Sequence, residues 1–446
     1  MKLFSFKGGV HPPEFKELTS YKAIKELPVP KKVIIPLQQH IGEICTPLVK
    51  EGQLVKKGQK IGSSDAFIAS SIHASISGKV ISIQPHAYPL GKPVQSITIE
   101  SDGKDEWVDS LKAYQEYFRL LPQEVRGIVK EAGIVGLGGA AFPTHVKLLP
   151  QKDKTVDTVI INGCECEPYL SCDYQVMLKY TREIIDGIKI LMKTLDASRA
   201  IIGIENNKPL ALERMAKAVT NEPNVDVVGL KTKYPQGAEK HLIEAILKKR
   251  VPPGALPLDV GCVVHNVSTT LAIRNAIVKG MPLIERVVTV TGSAVAEPQN
   301  VMVRIGTLVS EVIENCGGYI KEPGKLIMGG PMMGFAQATD DVPVLKGTSG
   351  ILVLSKKEVD TREETPCIKC SKCVGVCPMN LMPNMIVLYA KNRIWDKTEE
   401  YNIFDCMECG SCAYVCPAKI PLVHYIKDAK FKVTILKKRK TVVKKG

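Results

Sequence analysis

Eight cysteines near the carboxyl end of this 446-residue chain have the spacing of ligands for two iron–sulfur clusters. They form two runs, residues 367–378 and 406–417, and each run reads C-x2-C-x2-C-x3-C-P. With this spacing three thiolates surround one [4Fe–4S] cube, while the fourth cysteine of the run reaches the neighbouring cube. We therefore predict two crossed ligand sets: Cys367, Cys370, Cys373 and Cys416 in one, and Cys406, Cys409, Cys412 and Cys377 in the other.

Two other uses of closely spaced cysteines fit the pattern less well. C-x2-C is also a zinc-ligand spacing, but structural zinc sites take their four ligands in two pairs rather than in a doubled run of three plus one. Disulfide frameworks belong mainly to small exported domains. The pattern therefore favours two [4Fe–4S] clusters over zinc or disulfides.

A second candidate site lies upstream, where five glycines fall within residues 127–139. Glycines let backbone amides approach a phosphate or a flat ring closely. Lys147, shortly after them, could supply a positive charge. By itself, however, such a segment is often no more than a tight turn.

Predicted strands and helices alternate from residue 157 to residue 250, which indicates a parallel sheet with helices on its faces. The first of these strands runs directly into Asn-Gly-Cys-Glu-Cys-Glu-Pro at residues 162–168. Ligands of such sheets bind at the carboxyl ends of the strands. We therefore expect this segment to line a ligand site.

Short β-type runs with glycine turns between residues 33 and 83 predict a small barrel or sandwich. Their order resembles lipoyl and biotinyl carrier domains. At the tip, where a carrier lysine would stand, residues 70–74 read Ser-Ser-Ile-His-Ala. We therefore expect a docking or covering domain rather than a covalent carrier.

The formal charge of +14 does not indicate nucleic-acid binding, because the lysines and arginines are dispersed and aromatic residues make up 5% of the chain. No run approaches the length of a spanning helix, and the amino terminus lacks the apolar core of a signal peptide. We expect a reduced, cytoplasmic environment. The dense basic run of residues 430–445 is expected to be a solvated, mobile end rather than a contact with anionic lipid or an acidic partner.

Four segments resemble the flavin-binding signatures of the NADH-oxidising subunit of respiratory complex I. They are GLGGAAFPTHVK at 136–147, NGCECEP at 162–168, YPQGAE at 234–239 and VHNVSTT at 264–270. The whole order, which includes GGVHPP at 8–13, is similar to the C subunits of Rnf-type ion-translocating electron-transport complexes. The resemblance covers nearly the full chain.

This resemblance implies two adjoining binding sites. It implies FMN contacts at Gly136, Gly138, Gly139 and Lys147, with Asn162 and Glu165 near the ring or ribityl chain and Asn266 and Thr270 near the phosphate. It implies NAD(H) contacts at Phe142, Glu167 and Glu239, with Gly237 in the same motif as Glu239. Leu137, Ala141, Ala238 and His265 depart from the complex I pattern.

Cys164 and Cys166 stand where the complex I protein has other small or acidic residues. A redox pair or a metal site there, with Cys172 as a further member, is one interpretation. Buried thiols without a chemical role are the interpretation that we favour.

The resemblance further implies a peripheral subunit on the cytoplasmic face of the membrane. It would pass electrons between ferredoxin-side iron–sulfur subunits and NAD(H) through FMN, while membrane subunits translocate Na⁺ or H⁺. A flavin is required because hydride carries two electrons and a cluster carries one. The alternatives are a soluble flavin and iron–sulfur reductase such as a cobalamin reductase, whose layout lacks the barrel, and a non-enzymatic electron relay.

The predicted fold is multidomain α/β and α+β. The expected order is an extension (1–31), a barrel-sandwich domain (32–101), a parallel-sheet FMN and NADH domain (120–262), a small β-grasp-like module (263–354), a two-cluster bacterial ferredoxin domain (355–430) and a basic tail (431–446).

Overall fold

The computed structural model describes residues 2–149 and 153–443, and its first segment is a strap, residues 2–31, that crosses several later parts of the chain. The strap contains one 3-10 turn, Lys16–Leu18, and a short strand, β1 (Lys25–Glu26). Phe4 forms a parallel bridge with Leu230. The Gly9 amide donates to the Val376 carbonyl over 2.8 Å.

A barrel domain of seven strands follows the strap. The strands are β2 (Lys32–Pro36), β3 (Thr46–Pro47), β4 (Leu54–Val55), β5 (Lys60–Ser63), β6 (Ile72–His73), β7 (Gly78–Tyr88) and β8 (Gly91–Ser101). They form two antiparallel sheets, ordered β2-β8-β7-β4 and β3-β5-β6. Ile72 and His73, at the tip where a carrier domain would present its lysine, are 1% and 7% exposed. The tip is therefore a packing surface.

The sheet domain alternates strands and helices. Its elements are α1 (Pro122–Glu131), α2 (Thr144–Lys147), β9 (Thr158–Gly163), α3 (Cys172–Lys179), α4 (Thr181–Leu195), β10 (Arg199–Glu205), α5 (Pro209–Ala218), β11 (Val225–Leu230), α6 (Glu239–Leu247), β12 (Cys262–Asn266) and α7 (Val267–Val278). The four strands are parallel in the order β11-β10-β9-β12. Val159, Ile160 and Ile161 of β9 are all fully buried, because helices cover both faces of the sheet.

The boundary predicted between residues 262 and 263 is wrong, because it falls inside this sheet. β12 pairs with β9 over five residues, and its last residue, Asn266, aligns with Asn162. α7 then packs against α4. The apolar residues of β12 are buried by the sheet domain, so this strand cannot begin the next module.

Gly187 allows α4 and α7 to approach closely. A β-carbon at Gly187 would lie 2.5 Å from the backbone oxygen of Thr270 in α7. This close contact fixes the position of α7 against α4. It therefore also fixes the position of the first turn of α7, which follows the carboxyl end of β12.

The hairpin module has β13 (Glu285–Thr291), β14 (Gln299–Arg304), α8 (Val309–Glu314), β15 (Pro323–Met328), β16 (Phe335–Gln337) and β17 (Gly350–Ser355). The predicted antiparallel pair and its helix are present as β13, β14 and α8. The sheet has the order β1-β14-β13-β17-β15-β16, so a strand of the strap forms one edge.

The cysteine domain has helices within, between and after its two cysteine runs. Its helices are α9 (Lys372–Gly375), α10 (Pro383–Lys391), α11 (Trp395–Glu400), α12 (Ser411–Tyr414) and α13 (Leu422–Val443). Within residues 2–149 and 153–443, no helix combines the length and the apolar character needed to cross a membrane.

The basic tail, predicted to be mobile and solvated, is helical as far as Val443, and residues 444–446 lie outside the described part of the chain. Leu422, Ile426, Ala429 and Val433 are each no more than 3% exposed. Their spacing of four, three and four residues places them on one helical face. This apolar stripe keeps the first part of α13 against the domain; Val433 is its one member in the tail, and most tail residues from 431 to 439 are exposed, as predicted.

Lys346 joins the barrel domain, the sheet domain and the hairpin module. Its ammonium donates to the Ser71 and Gly133 carbonyls, each over 2.7 Å, and its side chain is almost fully buried. The Lys346 carbonyl accepts from Arg286 over 2.5 Å, and Arg286 also donates to the Leu137 carbonyl over 3.2 Å. Burial lowers the pKa of Lys346 to about 7.

We expect Gly187→Ala to lower the thermal midpoint and to cost about 1–3 kcal/mol, because its methyl group would overlap the backbone of α7. Gly127→Ala is the matched control: Gly127 also lies in a helix, α1, and its added methyl would contact no described residue within 4 Å. The control should gain about 0.5–1 kcal/mol. Equal effects of the two substitutions on the melting temperature would contradict the assignment of a close α4–α7 contact.

Stability should depend on the charge of Lys346. Its native pKa of about 7 lies below its ordinary value of 10.5, so between these pH values the unfolded chain binds the proton more tightly than the native protein does. Wild-type stability should therefore rise with pH through this window, relative to Lys346→Met, by up to about 1.4 kcal/mol per pH unit. Melting temperatures of both proteins from pH 7 to pH 10 measure this difference. The control is Lys92→Met, at an exposed position of β8 in the barrel domain. The difference between its melting temperature and that of wild type should stay constant over this pH range.

Candidate electron-transfer site

The two cysteine runs have the same backbone conformation. The residue before the second cysteine of each run is left-handed, with φ of 56° at Lys369 and 61° at Glu408. A second pair of left-handed residues follows that cysteine, with φ of 57° at Ser371 and 83° at Gly410. Each run continues into a one-turn helix, α9 or α12. The repeat seen in the sequence is therefore also a repeat of geometry.

Four cysteines line one cavity, and they come from both runs. The cavity is about 360 Å³, including the part open to solvent, and its wall contains Cys377, Cys406, Cys409 and Cys412, with Leu381, Ile386 and Ile426 among the apolar residues. We call these four cysteines the inner set. They are the same four that the crossed spacing assigns to one cluster.

The protein around the inner set is suited to a cluster. Backbone amides of Glu408 and Leu381 donate to the sulfurs of Cys406 and Cys377, each over 3.4 Å. Burial raises the pKa of Cys406 to about 11. Such thiols need a bound cation to become thiolates, which ferric and ferrous iron supply.

The other four predicted ligands, Cys367, Cys370, Cys373 and Cys416, form the outer set. Burial raises the pKa of Cys373, and the neighbouring Cys416 thiol raises it further. Cys367 and Cys370 are exposed, whereas Cys373 and Cys416 are half-buried. The outer set is therefore nearer the protein surface than the inner set.

In the described ranges, no three His, Cys, Asp or Glu side chains are placed to hold a metal ion. A site for a single metal ion differs from the cysteine sets. The four thiolates of a [4Fe–4S] cube bind four separate iron atoms, so they stand farther apart than the ligands of one ion.

The carboxyl ends of β9 and β12 place Asn162 and Asn266 side by side. The Asn162 amide donates to the Gly237 carbonyl over 2.7 Å, and its oxygen accepts from the Cys164 amide. Asn266 caps α7 by accepting from Ser268 and Thr269. The two asparagines therefore fix the shape of one edge, which we call the ligand edge.

The predicted glycine loop lies above the ligand edge. Gly136 closes it, donating to the Phe142 carbonyl over 2.9 Å and accepting from Ala141. A β-carbon at Gly138 would lie 3.5 Å from Asn266, whereas one at Gly139, where φ is 113°, would contact no described residue within 4 Å.

The amides of Gly138, Gly139 and Ala140 donate to no acceptor among the described residues, and all three residues are exposed. Free, exposed backbone amides beside a capped helix start form a cradle for an anion such as a phosphate. The loop therefore fits the group that the sequence predicts for it.

Lys147 and Glu239 are paired with each other. The Lys147 ammonium forms an ion pair with the Glu239 carboxylate and donates to the Val264 carbonyl over 2.6 Å. Phe142 is half-buried near the start of α2. The structure thus brings together a predicted FMN residue and a predicted NAD(H) residue.

Two predicted ligand residues already have partners in the protein. Glu165 accepts from the Asp173 and Tyr174 amides over 2.7 and 3.2 Å and so caps α3. The hydroxyl of Thr270, which is fully buried, donates to the Asn266 carbonyl over 3.0 Å. Their predicted contacts with FMN stay predictions.

Glu167 connects the ligand edge to the hairpin module. Its two carboxylate oxygens accept from the Met332 and Met333 amides over 3.0 and 2.9 Å. Burial raises the pKa of Glu167 to about 7. Its predicted contact with the nicotinamide also stays a prediction.

The inner set adjoins the ligand edge through a buried seam. Tyr234 donates from its hydroxyl to the Cys409 carbonyl over 2.7 Å. Val10 of the strap packs with these two residues, and Cys166 and Met407 lie against them. The Gly237 amide, three residues after Tyr234, donates to the Cys166 sulfur over 3.4 Å.

Several residues of this region were not singled out from the sequence. Asp173 accepts from Asn266 and Ser268 over 2.7 and 2.5 Å, and burial together with Glu165 raises its pKa to about 6. Lys208 donates to the Cys164 carbonyl over 2.5 Å and forms a buried ion pair with Glu205. Neither residue lies in a motif, so composition and spacing gave no signal for them.

Cys164 is buried and Cys166 is half-buried. Burial raises the pKa of Cys166 to about 12 and that of Cys164 well above its ordinary value. Both thiols are therefore protonated at neutral pH and poorly nucleophilic.

Four sequence-family models match the chain in succession. They are described as an RnfC barrel sandwich hybrid domain (residues 4–104), a Nuo51 FMN-binding domain (129–275), an SLBB domain (287–336) and a 4Fe-4S dicluster domain (366–420). The fold and the site therefore define a multidomain iron–sulfur flavoprotein of the electron-transfer class.

Full-length relatives identify the family. The chain is 52% identical over 426 residues to the C subunit of the proton-translocating ferredoxin:NAD(+) oxidoreductase complex of Clostridium ljungdahlii, covering 95% of this chain and 93% of that protein. It is 48% identical over 436 residues to the C subunit of the Na(+)-translocating ferredoxin:NAD(+) oxidoreductase complex of Acetobacterium woodii, covering 98% of each. The chain belongs to the family of C subunits of Rnf-type ion-translocating oxidoreductase complexes, which confirms the resemblance drawn from the motifs.

A relative in Rhodobacter capsulatus, the C subunit of an ion-translocating oxidoreductase complex, is 44% identical over 390 residues, covering 86% of this chain and 74% of that protein. The alignments with the Clostridium and Acetobacterium proteins include the barrel domain. Because that domain distinguishes the family layout from a soluble cobalamin reductase, the family assignment disfavours the reductase alternative.

Proposed function

We propose that this chain transfers electrons between its two [4Fe–4S] clusters and NAD(H) through FMN, as the C subunit of a ferredoxin:NAD⁺ oxidoreductase complex. The observation that carries the proposal is the hydrogen bond from Tyr234 to the Cys409 carbonyl. It joins the motif segment of the sheet domain directly to the loop that contains an inner-set ligand. Electron transfer requires such proximity between redox groups.

Three elements would hold FMN. The free amides of Gly138 and Gly139 and the start of α7 would bind the phosphate. Asn162 and Gly136 would shape the edge beside the ring, and Lys147 would add positive charge. When bound, FMN exchanges two electrons with a nicotinamide and one electron with a cluster.

Glu239, paired with Lys147, and Phe142 lie at the open side of the same edge and would contact NAD(H). Glu167 would contribute to the nicotinamide site while it holds Met332 and Met333. No acid, base or nucleophile of the chain is needed for this reaction, and the role of these residues is to bind and orient.

We assign the inner set to the cluster nearer FMN and the outer set to the cluster nearer the partner proteins. The inner set is supported by the buried seam with Tyr234, and the outer set by the exposure of Cys367 and Cys370. We propose that electrons pass from the ferredoxin-side partner to the outer-set cluster, then to the inner-set cluster, to FMN and to NAD(H), or along the same path in reverse.

The complex named for the relatives moves protons or sodium ions, and movement of ions across a bilayer requires spanning segments. We place those segments in partner subunits and place this chain on the cytoplasmic face, where NAD(H) is available. Its iron–sulfur partner would dock at the outer set.

The crossed ligand sets can be tested by single substitutions. Cys370→Ser and Cys416→Ser should abolish the same cluster, and Cys409→Ser and Cys377→Ser the other, because each cluster takes three thiolates from one run and one from the other. Each variant should fall from about eight to about four iron atoms per chain. Cys316→Ala, in the core of the hairpin module, is the control. Identical residual spectra for Cys416→Ser and Cys409→Ser would rule out crossing.

The function is tested by anaerobic titration of the reconstituted protein with NADH, following the flavin band and then the cluster band. Both bands should bleach. If FMN binds but stays oxidised, the NAD(H) assignment is wrong. If no FMN binds, the chain is a cluster relay.

A matched pair of glycine variants tests the FMN cradle in the same experiment. Gly139 and Gly318 have φ of 113° and 76°, and an added methyl at either would contact no described residue within 4 Å. Both alanine variants therefore carry backbone strain without a steric clash, but only Gly139→Ala would occupy space in front of the proposed cradle. We expect FMN to bind Gly139→Ala about tenfold more weakly and Gly318→Ala as wild type. Equal affinities would exclude the glycine loop from the site.

A further inference from the structure

The strap places a lysine beneath the loop that follows β9. The Lys16 ammonium donates to the Glu165, Glu167 and Leu170 carbonyls over 2.9, 2.8 and 2.5 Å. An ammonium group has three hydrogens to donate, so this single side chain uses its full capacity on one loop. We call residues 164–170 the ligand loop, since they continue directly from the ligand edge.

The flanking residues of the strap follow the ligand loop closely. The Glu14 carbonyl accepts from the Tyr169 amide over 2.7 Å. Phe15 and Tyr169 stack with their ring centroids 4.7 Å apart. Beyond the loop, the Thr19 and Ser171 hydroxyls lie 2.6 Å apart. Strap and loop therefore form a continuous interface.

Lys16 contributes a positive charge in a place where charge is costly. Its residue is 9% exposed, and burial lowers the pKa of the amine. Lys208 approaches the other end of the ligand loop and donates to the Cys164 carbonyl over 2.5 Å. Lys208 forms an ion pair with Glu205, whereas the three hydrogen bonds of Lys16 all end on loop carbonyls and its interactions with the Glu165 and Glu205 carboxylates are not direct hydrogen bonds.

A buried ammonium held by carbonyls retains much of its electrostatic effect, because little water screens it. Charge fixed beside a redox group favours the state of opposite charge. Reduction adds negative charge to a flavin ring, so a cation beneath the loop stabilises reduced FMN more than oxidised FMN.

We propose that Lys16 is a positioning residue for the flavin site, supplied by the strap rather than by the FMN-binding domain. It holds the ligand loop in the conformation that borders FMN and raises the affinity for reduced FMN relative to oxidised FMN. The second part of the proposal, on FMN affinity, rests on the proposed function. The first part, on the conformation of the ligand loop, concerns the chain itself.

Hydrogen exchange in the full-length chain without added FMN tests the first part. Lys16→Met keeps the length of the side chain but removes its three donors, so the Tyr169 amide and its neighbours should exchange at least about tenfold faster. Lys16→Arg should retain most of the protection. Lys22→Met is the matched control, because Lys22 lies on the same strap and donates to the Pro298 carbonyl, outside the ligand loop. Unchanged exchange in Lys16→Met, with cluster iron at the wild-type level as a check of folding, would overturn the proposal.

Affinities for oxidised and reduced FMN test the second part. In Lys16→Met the ratio of the two dissociation constants should shift about tenfold against reduced FMN, which for a two-electron couple corresponds to about 30 mV toward more negative potential. Lys16→Arg and Lys22→Met should keep the wild-type ratio. A Lys16→Met variant that weakens both affinities equally would show a purely structural role and overturn this part. If the wild-type chain binds no FMN, the proposed function fails, while the exchange experiment still decides the role of Lys16 in the loop.

Discussion

The buried hydrogen bond between Tyr234 and the Cys409 carbonyl is the constraint on which the arrangement depends. One end lies in a motif segment of the sheet domain, and the other lies in a cysteine run about 170 residues later. A hydroxyl buried without a partner would cost about 1–3 kcal/mol, so this hydrogen bond favours the observed register of the two domains. This contact and the apolar seam around it therefore set the distance between the ligand edge and the inner set.

The ligand edge combines two kinds of groups. The carboxylates of Glu165, Glu167 and Asp173 accept hydrogen bonds from the protein itself and give the edge its shape. The exposed amides of Gly138 and Gly139 are free to bind an anion. An anion at this edge would be held by backbone groups, which do not titrate, while Glu165, Glu167 and Asp173 remain engaged in the framework.

The sequence was sufficient for groups whose function requires a local spacing. The cysteine runs predicted crossed sets, and the structure places Cys377 with three cysteines of the other run because the repeat is local and regular. It was not sufficient where long-range packing decides the outcome. β12 joined the sheet domain through its pairing with β9. The tail is helical because it continues α13, whose first part packs against the domain through Leu422, Ile426 and Ala429. Lys16 gave no signal, since one lysine in an irregular, lysine-rich segment is distinguished only by the carbonyls that surround it.

The strap also has a consequence for biosynthesis. It leaves the ribosome before every segment that it contacts, since it pairs with residues near 170, 230, 301 and 376. Contacts of such sequence separation form late, because the intervening chain must first be made and folded. The strap therefore cannot make all of its contacts until the cysteine domain has emerged. Full closure of the strap therefore requires synthesis of the cysteine domain, and a chain truncated before residue 376 would keep part of its strap without a binding surface.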